Sequence, residues 1–194
     1  MTRAGVILLT AMATLGVARP GLAPTPRLIW NVSASVPVGL YAIAASDHYA
    51  VGDLVAARVE EPLAGILAER GYLGRGVPLI KRVLALPGQT VCRRGSIIAV
   101  DGIDVGSALP CDRAGRELPV WRGCRRIAAD QLFLMNWQVA DSFDGRYFGP
   151  VPLAHLLGRA TPLWTEDETG RFEWRAPTQT NLPQPEAARR PPTR

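Results

Sequence analysis

Short apolar segments, each closed by glycine, proline or aspartate, constrain this chain more than any other feature. The segment from Ser35 to Tyr41 enters strand pattern and continues as Gly-Leu-Tyr-Ala-Ile-Ala-Ala to a polar turn at Ser46-Asp47-His48. Residues 51–59 alternate weakly, and residues 77–86 form an apolar run closed by Pro87-Gly88. Residues 91–105 hold two short strands around Arg93-Arg94-Gly95 and an Asp101-Gly102 turn signal. Residues 107–121 are loop-like, residues 127–139 return to strand, and residues 147–163 hold a strand or short helix. Only residues 61–72 read as a helix, with Pro62 suited to its first turn and Gly71 near its end. Many short strands around one short helix predict a mostly-β domain, barrel-like or sandwich-like.

The ends read differently. Ala4 to Ala18 carries no charge and follows Arg3, but the run is shorter than the roughly 20 residues that span a bilayer. It fits the core of an export signal, with candidate cleavage points after Ala18 and Ala23. Pro20 and Pro24 lie just beyond those points and oppose cutting, so the segment is either an export signal or a retained anchor. Residues 19–29 are a proline-rich linker. After Trp174 the chain is rich in proline with almost nothing apolar to bury, which predicts a disordered tail. The expected organisation is an export signal or anchor at 1–23, one domain at 24–174 and a tail at 175–194. The net charge of +5 is scattered in pairs such as Arg93-Arg94 and Arg125-Arg126, not gathered into a nucleic-acid-binding stripe. Cys92, Cys111 and Cys124 are not at zinc-site spacing, and outside the cytoplasm three single disulfide pairings are open to them.

Of the 22 Lys and Arg residues, Lys81 is the only lysine, and it sits inside the apolar run Pro78-Leu79-Ile80-Lys81-Arg82-Val83-Leu84. Arg stays protonated in proteins, whereas a desolvated Lys yields a neutral amine able to act as a general base. A Lys with the reference pKa is neutral about once in a few thousand molecules at pH 7, and burial lowers that pKa by up to roughly 3–5 units. A serine hydroxyl needs such a base to become a nucleophile. Ser33 and Ser35 precede Pro37, and in an extended segment their hydroxyls project to one side. That pattern allows Ser35 to attack while the Ser33 hydroxyl and the Ser35 N–H bind the developing oxyanion. Asp144-Gly145 is a β-turn signal with Arg146 near enough to pair with Asp144. A Ser-His-Asp triad using His48 or His155 is a weaker rival, because His48 sits in a turn and His155 in the apolar run Leu153-Ala-His-Leu-Leu.

Taken in order, Ser-Val-Pro-Val-Gly-Leu-Tyr at 35–41, Lys81-Arg82-Val83 followed by Pro87-Gly88, and Ser142-Phe-Asp144-Gly-Arg146-Tyr-Phe-Gly149-Pro resemble type I signal peptidases. The chain is most similar to their conjugative-transfer branch, the TraF-type peptidases. The resemblance covers residues 29 to about 164. It implies a signal-peptidase-like β fold, Ser35 as nucleophile, Lys81 as base, and an oxyanion hole from Ser33 and Ser35. It further implies that Ser142 orients Lys81, that Asp144 and Arg146 form a supporting ion pair, and that no metal or organic cofactor takes part. A Cys92–Cys124 disulfide across the loop-rich insert is implied as well.

The chain departs from general secretory signal peptidases at Ser35-Val36, where those carry Ser-Met, and at Leu134-Met135-Asn136, where those carry Gly-Asp-Asn. It also lacks their large inserted β-domain. These differences favour a specialised substrate over general secretory traffic, and the expected protein is a membrane-associated endopeptidase on the periplasmic side of the bacterial inner membrane. Its expected partners are that membrane and an exported precursor such as a conjugative pilin, with no nucleic acid. The acyl-enzyme would be resolved by water or by cyclisation onto the substrate's own amine. A general type I signal peptidase is the alternative within this chemistry, and a catalytically silent scaffold of a secretion complex is the alternative of another class.

Overall fold

The computed structural model describes residues 28–175. The expected export signal or anchor and the tail from residue 176 lie outside the described residues. In chain order the elements are β1 (Leu28–Asn31), β2 (Gly39–Ala44), β3 (Leu54–Ala57), α1 (Leu63–Glu69), β4 (Leu79–Ala85), β5 (Thr90–Arg94), β6 (Ile97–Val100) and β7 (Ile103–Ser107). There follow β8 (Gly123–Arg126), β9 (Gln131–Leu134), the helical turn α2 (Gly145–Phe148), β10 (Val151–Pro152), a 3-10 turn (Leu153–His155), β11 (Leu156–Glu166) and β12 (Phe172–Trp174). The main sheet is ordered β1-β2-β11-β3-β4-β9-β10, with β12 paired to β11; a second sheet of four strands is ordered β7-β6-β5-β8. The domain is mostly β, as expected.

Alternation explains the main sheet. Leu54 and Ala56 of β3 pack into a core with Ile29, Tyr41, Ile43, Ile80 and Leu157, while Val55 and Ala57 face the other side with Val83, Leu132 and Leu134. Strand β4 contributes to every apolar cluster: Ile80 to the first, Val83 to the second, Leu79 to a core under α1, and Leu84 and Ala85 to the core of the small sheet. Lys81 therefore lies on the strand most surrounded by apolar groups. At the opposite edge, Trp30, Trp164, Phe172 and Trp174 form an aromatic cluster, and Trp174 remains 75% exposed.

Several boundaries differ from the sequence reading. Residues 91–105 yield three strands, because Asp101 (φ 49°) and Gly102 (φ 86°) make a tight hairpin that returns the chain as β7. The helix is shorter than 61–72, ending before Gly71, whose φ of 68° is left-handed. Residues 34–36 form a turn and bend, and β2 begins only at Gly39. The β-turn signal at Asp144-Gly145 opens the helical turn α2, which the Asp144 carboxylate caps by accepting the Arg146 backbone N–H.

Gly39 starts β2 where two backbones almost touch. It has φ 143°, and a Cβ there would lie 2.2 Å from the Trp164 carbonyl oxygen and 2.7 Å from Thr165 Cα. Gly39→Ala is expected to destabilise the fold by about 2–4 kcal/mol, combining backbone strain with a clash that only strand separation relieves. Denaturant unfolding checks this; a change under about 0.5 kcal/mol would show that the β2–β11 contact yields freely.

Candidate active site

The loop joining β1 to β2 is shaped by Asn31, the last residue of β1. Its Oδ1 accepts the Ser33 N–H at 3.1 Å, and its Nδ2 donates to the carbonyls of Ser33, Val36 and Pro37 at 2.8, 3.2 and 3.1 Å. The buried Tyr41 hydroxyl donates to the Pro37 carbonyl at 2.7 Å. The chain thus curls, and the reading of Ser33 and Ser35 as neighbours on an extended strand gives way to a turn. Their hydroxyl oxygens come within 2.9 Å of each other, and the Ser35 N–H points at Ser33 Oγ at 3.4 Å. An extended i, i+2 pair would hold them farther apart.

Lys81 meets this turn from β4. Its side chain is 2% exposed, and Nζ donates to Ser35 Oγ at 2.7 Å and to Ser142 Oγ at 2.9 Å. Burial lowers the Lys81 pKa from 10.5 to about 8; Asp144 opposes this, Arg146 adds to it, and Asp141 opposes it. About a tenth of the molecules then carry a neutral amine at pH 7. The pair joins a nucleophile-type oxygen to a base within proton-transfer distance.

Ser142 owes its place to Asp144 and Arg146. Arg146 Nε and Nη2 donate to the two Asp144 carboxylate oxygens, each at 2.8 Å, and both side chains are buried. The same guanidinium donates to the carbonyls of Val139 (2.7 Å), Ala140 (2.9 Å) and Ser142 (3.1 Å), gathering the whole 139–142 loop. Gly145 lets α2 lie against β9, since a Cβ there would sit 2.6 Å from the Leu134 carbonyl oxygen.

Asn136 is the residue that sequence reasoning passed over. It entered only as a departure from Gly-Asp-Asn, yet its Nδ2 donates to the Ser35 carbonyl at 2.8 Å while its Oδ1 accepts the Arg82 N–H at 2.8 Å. Its own N–H donates to Asp144 at 3.0 Å. Asn136 therefore ties together the Ser35 turn, the Lys81 strand and the Asp144–Arg146 pair. The shared Asn was the available signal. Neither histidine joins the site: His155 pairs with Glu60 at 3.3 Å, and His48 lies in an exposed turn. Cys92 and Cys124, directly opposite on β5 and β8, form a disulfide, and Cys111 is free. Among the described residues no three His, Cys, Asp or Glu side chains converge as a metal site would require.

Two clefts flank Ser35. One, of about 390 Å³, has the Lys81 and Ser142 side chains in its wall and apolar lining from Leu67, Leu79, Leu109 and Tyr147. The other, of about 900 Å³, runs past Pro37, Tyr41, Gln138 and Arg175.

The chain is similar to known proteins. Residues 1–164 match the family described as signal peptidase, peptidase S26. A probable conjugal transfer protein TraF of Sinorhizobium fredii is 35% identical over 179 residues, covering 84% of this chain and 92% of that protein. A conjugal transfer protein TraF of Agrobacterium tumefaciens is 36% identical over 176 residues, covering 84% and 97%. A plasmid transfer protein TraF of Escherichia coli is 31% identical over 171 residues, covering 84% and 94%. A chain matched over this length to that family, and carrying a buried lysine against a serine in such a fold, belongs to the signal peptidases of peptidase family S26.

Proposed function

We propose that this protein is a serine endopeptidase with a Ser35–Lys81 dyad that processes exported precursors of a conjugative transfer apparatus, such as a pilin. The observation that carries the chemistry is the buried Lys81 Nζ at 2.7 Å from Ser35 Oγ. The conjugative assignment rests on the names of the similar proteins. Lys81 takes the Ser35 proton as Ser35 Oγ attacks the scissile carbonyl. The Ser35 N–H and a Ser33 hydroxyl turned away from Ser35 hold the oxyanion. Protonated Lys81 then donates to the departing amine, which leaves an ester on Ser35. Water, or the substrate's own N-terminal amine, attacks that ester and gives a proton to Lys81, which passes it to the departing Ser35 oxygen and restores the hydroxyl; the second route closes a ring. Ser142 orients the amine, and Asp144 and Arg146 hold Ser142. A silent scaffold would have no use for a buried Lys between two hydroxyls. The aromatic cluster on β1, β11 and β12 and the apolar run at 4–18 favour work at the outer face of the inner membrane.

Lys81→Arg keeps the charge but not the base, so cleavage of a co-expressed pilin precursor, followed by mass spectrometry, is expected to fall to background. Substantial turnover by that variant would remove Lys81 from the mechanism. The mass of the wild-type product separates hydrolysis from cyclisation, a cyclic product being lighter by one water. Ser33→Ala is expected to lower kcat by about 10²- to 10³-fold with little change in KM. Unchanged kcat would return Ser33 to a purely structural role.

The lowered pKa has two consequences. The acidic limb of kcat/KM is expected to break near pH 8, falling roughly tenfold per pH unit below it. Stability moves in the same direction: between pH 8 and 10.5 the unfolded chain binds the Lys81 proton and the folded one does not, so stability rises with pH across that window. The penalty is fully present below pH 8 and amounts to about 3 kcal/mol. Lys81→Met is thus expected to be more stable than wild type at pH 7, with the gap narrowing from pH 8 to 10.5. A gap that does not vary with pH would mean the amine is not desolvated.

A further inference from the structure

Outside the set of residues that meet Ser35 lies a second buried guanidinium. Arg93, on β5 of the small sheet, is 4% exposed and has no ion-pair partner among the described residues. Its hydrogen bonds all go to carbonyls: Arg146 at 2.5 Å and Pro119 at 3.2 Å through Nη1, and Gly95 at 3.2 Å through Nε. It also lies 5.9 Å from the Tyr147 ring centre. A buried cation paired only with backbone oxygens is a demanding arrangement, and a rigid fork reaching three chain segments is a geometry that Arg supplies and Lys does not.

Two neighbours act on the same element. The Trp121 indole N–H donates to the Gly145 carbonyl at 3.0 Å, so both leading carbonyls of α2 are held from the small sheet's side. Arg125 stacks 4.9 Å from the Trp121 ring centre and closes against Gly149, where a Cβ would meet its Nη1 at 2.8 Å. Arg93 and Arg125 each follow a half of the Cys92–Cys124 disulfide, whose cysteines face each other across β5 and β8. The bond therefore ties together the two strand positions that grip α2. From α2 the chain of contacts is short: Arg146 bears the Asp144 pair and the Ser142 carbonyl, and Ser142 Oγ meets Lys81 Nζ at 2.9 Å.

We propose that Arg93 is a positioning residue for the Lys81–Ser142 contact, acting through the Arg146 carbonyl as part of a clamp that the disulfide-tied small sheet closes on α2. This rests on the Ser35–Lys81 reading, and it gives the small sheet a part in the chemistry without any contact with substrate. Loosening α2 would admit water to Lys81 and carry the amine back toward its ordinary basicity. The charged groups acting on that amine are Asp144, Arg146 and Asp141.

The test uses the full chain and a peptide spanning a precursor cleavage site. Arg93→Met is expected to lower kcat by about 10- to 100-fold with KM changed less than about threefold, and to move the acidic limb upward by about half a pH unit or more. Arg93→Lys should recover part of the loss by donating again to the Arg146 carbonyl. Trp121→Phe, which removes the indole donor and keeps an aromatic side chain there, decides the matter if Arg93→Met does not fold; a smaller loss with the same upward movement is expected. Wild-type kcat in Arg93→Met, or in Trp121→Phe where only that variant folds, would overturn the proposal. So would a loss that only tracks the amount of folded protein, with the limb unmoved. Activity that survives Ser35→Ala would instead sink the dyad itself, and this inference with it.

Discussion

The site depends on one buried ion pair. Asp144 and Arg146 are withdrawn from water, and their bidentate contact neutralises two charges that would each be costly alone. Pairing is only part of what they do. The remaining guanidinium donors collect carbonyls from residues 139, 140 and 142, and the second carboxylate oxygen accepts the Asn136 N–H. A loop with little regular structure of its own is thereby held by hydrogen bonds from one side chain. Removing either charge would strand the other inside the protein, a loss of about 3–5 kcal/mol, and would release Ser142 and Asn136 together.

Asn136 carries that order across to the nucleophile. It bonds the Ser35 carbonyl on one side and the Arg82 N–H on the other, so the Ser35 turn and the Lys81 strand share one amide as a spacer. Asn31 and Tyr41 hold the far side of the same turn. The 2.7 Å contact between Lys81 and Ser35 is therefore set by neutral hydrogen bonds, and the ion pair stays one step removed. That separation matters for the amine. A carboxylate in direct contact with Lys81 would favour its charged form and undo the effect of burial.

Legibility in the sequence followed the range of the interactions. Lys81 could be read because its anomaly is local: one lysine among arginines, within an apolar run. Ser35, Ser142, Asp144 and Arg146 were visible as boxes whose order resembled a known family, and the mostly-β architecture followed from short strands and frequent breakers. The Ser33–Ser35 geometry was misread, because the Asn31 side chain, not strand propensity, decides the backbone there. At Asp144-Gly145 the β-turn signal turns out to open a helical turn, because the Asp144 carboxylate finds the Arg146 N–H, while the expected Asp144–Arg146 pair is present. Arg93, Trp121 and Asn136 were not legible as contributors, since their partners lie 53, 24 and 101 residues away in the chain.

The same long-range contacts account for what the two sheets do. The main sheet supplies a dry strand, β4, that enters every apolar cluster and so strips water from Lys81. Stripping water alone would leave a flexible side chain free among several rotamers, and proton transfer needs a single distance. Direction comes from Ser142, at the end of a line of hydrogen bonds that starts in the other sheet. The main sheet thus lowers the amine's basicity by burial, and in the proposed clamp the small sheet helps to keep that amine both dry and aimed. A protein with only the first would hold a readily deprotonated lysine without aim, and one with only the second would aim an ammonium that rarely gives up its proton.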